Sequence, residues 1–299
     1  MNNWKKVGLT ALSASLVSVS AHAGALDVTG AASITYHSDQ DSTGNPYSHG
    51  KTITFSGSGD LDNGMTVSYS YAMADAAASD SSVKIGMGDG GTLTFGGAVS
   101  GGVRSYDSVI PTAKEEAWDD LAGEANIVTA MSGTNSFVYT NNFGGFDVTA
   151  QYTKNGSSNG ADHSIGASYP VGDTGLTVGY AFGEDGNTID EDVIYAKYSI
   201  GGATLGWSKF DHEVSASATG REVTQMGISF AVNENLSVSY GRASVDFEAK
   251  TADQESSGVS ASYTMGSITI AVAANKEEDT GGTAGSEDDM SEATVSFAF

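Results

Sequence analysis

Apolar residues recur at every second position of this chain, in sixteen separate segments between Leu26 and Phe299. The first holds Leu26, Val28, Ala32, Ile34 and Tyr36, and the third Met65, Val67, Tyr69, Tyr71 and Met73. The pattern returns through Phe146/Val148/Ala150/Tyr152, Leu176/Val178/Tyr180/Phe182 and Leu236/Val238/Tyr240, down to Ala293, Val295, Phe297 and Phe299. Between the apolar residues stand Ser, Thr, Asp and Gly. A period of two puts successive side chains on opposite faces of a β-strand, so each segment reads as a strand with one apolar and one polar face.

The N-terminus narrows the environment. Lys5 and Lys6 precede an apolar stretch from Val7 to Val19, which ends at Ala21-His22-Ala23 with small outer residues. That is the pattern of a secretory signal, residues 1–23, leaving residues 24–299 as the mature chain. The stretch is well short of the roughly 20 apolar residues of a spanning helix. An exported chain built of amphipathic strands enters a membrane only as a closed sheet, because backbone exposed to lipid must be hydrogen-bonded internally. With 39 Gly, no Cys and a net charge of −24, composition agrees, and the acidity argues against nucleic acid as a partner.

The connections alternate in length. Long polar stretches around Ser38 to Gly50, Asp75 to Ser81 and Ser100 to Gly133 alternate with tight ones at Asp60-Leu61-Asp62-Asn63-Gly64, Gly88-Asp89-Gly90-Gly91 and Asn141 to Gly145. Further tight turns at Gly172-Asp173-Thr174-Gly175, Gly201-Gly202, Asn233-Glu234-Asn235 and Gly266 are separated by acidic stretches. Gly, Asn and Asp supply the positive φ that short hairpins need. The expected fold is therefore all-β: a transmembrane antiparallel β-barrel of 16 strands, with short periplasmic turns and long extracellular loops.

At Asn135-Ser136-Phe137-Val138-Tyr139, Asn142-Phe143-Gly144-Gly145-Phe146 and Tyr152, and at the terminal Phe299, the chain resembles the sixteen-stranded general diffusion porins of Gram-negative outer membranes. The resemblance implies an outer-membrane location, a homotrimer, and delivery to the outer-membrane insertion machinery through Phe299. It also implies a third loop, about residues 100–133, folded into the lumen. Many relatives carry a basic residue at the lumen position that is Val138 here.

On that reading the third loop brings Asp107, Glu115, Glu116, Asp119, Asp120 and Glu124 to the constriction, where carboxylates favour cations. Parity turns Lys84 and Lys197 inward, and together with Arg104 they are the candidates for a basic side. Lys51, Lys154, Lys209 and Arg242 share the parity of their apolar neighbours and belong at the outer rim. The acidic clusters Glu184/Asp185, Asp190-Glu191-Asp192, Glu277-Glu278-Asp279 and Glu287-Asp288-Asp289 are candidate sites for structural Ca²⁺, but none has an ordered ligand spacing. Histidines 37, 49, 163 and 212 are scattered, in or near expected loops, without metal spacing. Gly86, Gly88 and Gly91 precede a strand rather than a helix, and no GxSxG elbow occurs. The expectation is a non-enzymatic, cofactor-free passive channel, cation-preferring, for small hydrophilic solutes and ions, in contact with outer-membrane lipid. The alternative is a receptor or adhesin barrel that binds through its acidic loops.

Overall fold

The computed structural model describes residues 26–39, 44–74, 77–123, 135–154, 160–186, 188–214 and 219–299. Sixteen strands close into one antiparallel barrel in sequence order, the first pairing with the last. They are β1 (Asp27–Asp39), β2 (Tyr47–Asp60), β3 (Thr66–Ala74), β4 (Ala77–Gly86), β5 (Thr92–Gly96), β6 (Ser136–Phe143), β7 (Phe146–Lys154) and β8 (Ala161–Pro170). The second half is β9 (Leu176–Asp185), β10 (Ile189–Ile200), β11 (Ala203–Val214), β12 (Arg221–Ala231), β13 (Leu236–Phe247), β14 (Gln254–Met265), β15 (Ile268–Glu278) and β16 (Glu287–Ala298). All sixteen expected segments are strands.

The alternation resolves into two faces. Tyr69, Val83, Phe95, Phe137 and Tyr152 pair in one row across β3 to β7, and all five are exposed, which is the lipid-facing belt of a membrane barrel. One residue along, Lys84, Thr94, Val138 and Gln151 form the inward row. At the seam, β1 and β16 pair from Ala31↔Ala298 to Asp39↔Met290. The Gly30 amide donates to the Phe299 carbonyl at 2.6 Å, and the Phe299 amide to the Gly30 carbonyl at 2.9 Å. The Phe299 ring lies over Gly30, where a Cβ would come within 2.5 Å of it.

Two expectations are corrected. The connection around Asp75 to Ser81 is not long: β3 runs to Ala74, β4 starts at Ala77, and these two alanines pair, with a bulge at Ala72/Met73. The acidic clusters do not sit in loops as expected. Asp190-Glu191-Asp192 lies in β10, Glu277-Glu278 in β15 and Glu287-Asp288-Asp289 in β16, because strands continue past the lipid belt and exchange apolar for acidic residues there. Alternation then splits each cluster. Glu191, Glu277 and Asp288 are buried on the inside, while Asp190, Glu278 and Asp289 are exposed.

One outward row is uniformly acidic. Asp192, Asp211, Glu222 and Asp246 pair in register across β10 to β13, with a Lys209–Glu222 ion pair of 2.7 Å beside them. Like charges placed opposite one another on neighbouring strands oppose pairing. Asp211→Asn is expected to raise the melting temperature at low ionic strength, by the equivalent of about 0.2–1 kcal/mol, and the gain should shrink toward zero near 1 M salt. Thermal melts of both proteins across a salt series test this.

Candidate functional site

Strand β5 is only five residues long because the chain leaves the wall after Gly96 and turns into the barrel. The turn is fixed by the Gly97 amide donating to the Ser81 carbonyl and the Ala98 amide donating to Asp80 Oδ1, both at 3.0 Å. The third loop then runs along the inner wall, starting with a short 3₁₀ turn at Gly102–Tyr106. Its amides donate to wall side chains in sequence: Gly101 to Gln151 Oε1 (2.9 Å), Gly102 to Thr149 Oγ1 (3.2 Å), Ala113 to Ser239 Oγ (2.9 Å), Lys114 to Ser260 Oγ (3.1 Å) and Ala122 to Asp288 Oδ2 (2.7 Å). Asn275 Nδ2 donates to the carbonyls of Glu116 and Asp119, both at 3.1 Å. The loop is thus folded into the lumen, as expected, and is seated on β7 through β16.

Part of its seat is apolar, against the expectation of a uniformly polar inner face. Val103, Tyr106, Ile110, Ala117 and Trp118 of the loop are buried with Ala181, Val193, Tyr195, Phe210, Val223, Ala243 and Val245 of the wall. Tyr106 and Tyr195 meet edge to face at 5.0 Å. Burial beside Tyr195 pushes the Tyr106 hydroxyl up to about 12. The signal in the sequence was the continuous run Val193-Ile194-Tyr195-Ala196, where apolar residues occupy both parities, the mark of a strand covered on both sides.

A strip of glycine makes room for the close approach of the loop. Gly206, Gly227, Gly241 and Gly258 pair in register across β11 to β14, and Asn275 of β15 continues the row. A Cβ at Gly206 would come within 2.3 Å of Pro111, one at Gly227 within 2.6 Å of Ile110, and one at Gly241 within 3.1 Å of Ala117. Gly227→Val is therefore expected to lift the loop off the wall at a cost of about 1–3 kcal/mol. Single-channel recording should show a larger or noisier opening, with strand content unchanged by circular dichroism.

The expected site residues fall into distinct places. Asp107, Glu115, Glu116 and Asp119 line one cavity of about 600 Å³ between the loop and the wall, and Lys114 and Lys197 line it with them. Lys197 of the β10 wall and the acids of the loop thus border the same cavity. Lys84 lies on the inward row of β4, exposed, and Arg104 is half-buried in the 3₁₀ turn of the loop. Asp120 is exposed, and Glu124 lies outside the described residues. Val138 is 4% exposed, covered by the loop at Gly101. Lys51, Lys154, Lys209 and Arg242 are outward, and Arg242 pairs with Glu255 at 2.7 Å.

Burial sets the protonation of the loop. Glu116 is 9% exposed, and its Oε1 has no hydrogen-bond partner. Burial first, and then Asp119 and Asp107, push its carboxyl up to about 8. Asp119 is raised by burial and Asp120, partly offset by its hydrogen bond from the Glu116 amide at 2.9 Å. Lys114 contacts both Glu115 and Glu292, which outweigh its burial and hold the ammonium above its usual range, while Glu115 is raised by burial despite Lys114. The sign follows by linkage. A Glu116 pKa raised in the seated loop gives stability that is full below the ordinary value of 4.5 and is lost as pH rises through about 8. Protease susceptibility of the loop is expected to rise between pH 5 and 9, and Glu116→Gln should flatten that profile.

A closed sixteen-strand barrel with a lipid-facing belt and an inner loop that narrows a water-accessible lumen is an outer-membrane pore. The chain belongs to the Gram-negative porin family, which matches residues 8–298. Among solved structures, an engineered variant of Rhodopseudomonas blastica porin aligns with a TM-score of 0.70 at 14% identity, covering 92% of this chain and 100% of that one. A porin refined at 1.8 Å aligns with a TM-score of 0.69 at 17% identity and the same coverage. A triple variant of the R. blastica protein gives 0.67 at 15% identity. No curated protein matches. The protein is thus a multi-pass outer-membrane channel.

Proposed function

We propose that this porin is a passive, cation-preferring diffusion channel for small hydrophilic solutes and ions, working without a cofactor. The observation that carries the reading is the cavity of about 600 Å³ under the third loop, whose lining includes the four acids Asp107, Glu115, Glu116 and Asp119 and the two bases Lys114 and Lys197. Lys114 is already engaged by two carboxylates. In a narrow aqueous passage an excess of fixed carboxylates lowers the energy of a cation and raises that of an anion. Lys197, Lys84 and Arg104 act as the local counterweight. Residues 1–23 serve as the export signal, the mature barrel begins at residue 24, and it assembles as a homotrimer after the insertion machinery reads Phe299. The export signal rests on the N-terminal pattern of Lys5, Lys6, the apolar stretch and Ala21-His22-Ala23, while the homotrimer and the role of Phe299 rest on the family resemblance.

The test is the reversal potential of purified protein in planar bilayers under a KCl gradient. Stepwise openings with a cation-selective potential are the expected result. Lys197→Glu should increase the selectivity, and the double change Asp107→Asn, Glu115→Gln should reduce it several-fold. Anion selectivity would overturn the preference, and folded protein without conductance would favour the receptor or adhesin barrel.

A further inference from the structure

We infer that His37, Asp120 and Glu292 form a binding site for a divalent cation of the zinc class at the seam of the barrel. His37 of β1 and Glu292 of β16 are directly paired across the closure, both on the inward parity, and Asp120 reaches them from the third loop. One ligand atom from each lies within 4.8 Å of the other two. Tetrahedral zinc ligands stand roughly 3.4 Å apart, so side-chain rotations of about 1 Å close the set and leave a fourth position for water.

Three further observations favour an ion here. His37 Nε2 is a buried ring nitrogen with no hydrogen-bond partner, which is the condition of a ligand atom awaiting a Lewis acid. Glu292 takes Lys114 and the Thr294 hydroxyl on the same oxygen, Oε1, leaving Oε2 for a metal. Glu115 and Glu292 both contact the ammonium of Lys114, and Asp120 adds a further carboxylate beside Glu292, an excess of negative charge that a divalent ion balances. An imidazole nitrogen beside two carboxylates selects zinc-like ions over Ca²⁺ or Mg²⁺, which prefer oxygen throughout. The three ligands are far apart in sequence, so their grouping was not visible as a motif. The ion would tie the first strand, the last strand and the constriction loop together at one point, whatever the selectivity of the pore.

The experiment uses the full folded protein in detergent, stripped with EDTA and titrated with ZnCl₂ by calorimetry, with thermal melts run in parallel. One zinc per chain is expected, with a melting temperature that rises with zinc concentration. His37→Gln and Asp120→Asn should each weaken zinc about tenfold or more, whereas His163→Gln should leave it unchanged. Glu292→Gln also removes a partner of Lys114, so the other two variants decide if it fails to fold. Zinc affinity unaffected by His37→Gln, or Ca²⁺ binding as tightly as zinc, would overturn the inference. Calorimetry and melting read the metal directly, so a failed pore reading, seen as absent conductance, is a separate result.

Discussion

Inside the hydrocarbon of a membrane no water is present to satisfy a backbone amide or carbonyl, and every other feature of this chain is arranged around that constraint. The pairing of β1 with β16 removes the last open edge, and Gly30 carries it to the final residue by accepting and donating hydrogen bonds with Phe299. A side chain at position 30 would collide with the Phe299 ring, so the closure needs glycine there for contact as well as for the bonds. Once the ring is complete, the period of two does the rest: one parity meets lipid, the other meets the lumen.

The lumen is not a plain water-filled tube. From β9 to β13 its wall carries an apolar patch set among buried polar residues such as Ser208 and Gln225, and this patch holds the third loop by burial while Asp107, Glu115 and Asp119 line the cavity beside it. The same polypeptide thus has a hydrophobic surface outside for lipid and a second, smaller one inside for its own loop. The in-register glycines of β11 to β14 reduce the wall to bare backbone where Ile110, Pro111 and Ala117 lie closest. Position in a narrow cross-section is what gives a carboxylate influence over permeating ions, and that position is set by packing.

Strands such as Leu236-Ser237-Val238-Ser239-Tyr240 were legible in the sequence because the solvent contrast between their faces is sharp. Their upper ends were not. Above the lipid belt both faces of β10, β15 and β16 meet polar surroundings, so Asp190, Glu278 and Asp289 read as loop although their backbone continues the ladder. The seat of the third loop left a partial trace, the doubled apolar parity around Val193 and Tyr195. That Asp107, Glu115, Glu116 and Asp119 share a cavity with Lys197 depends on where a long irregular segment comes to rest, which no local pattern encodes. The approach of His37 and Asp120 to Glu292 is likewise a product of ring closure and loop seating together.

The hydrogen bonds of the third loop span great distances along the chain: Ala113 to Ser239, Lys114 to Ser260, Ala122 to Asp288. Their wall partners belong to the last four strands, so none of these bonds can form until the C-terminal part of the barrel stands in place. A growing or partly inserted barrel can therefore hold the start of its loop, at Gln151 and Thr149 of β7, before it can hold the far end. The narrow passage is consequently the last feature assembled and the first surrendered when the C-terminal strands loosen, and an immature barrel would be wider, and less discriminating, than the finished one.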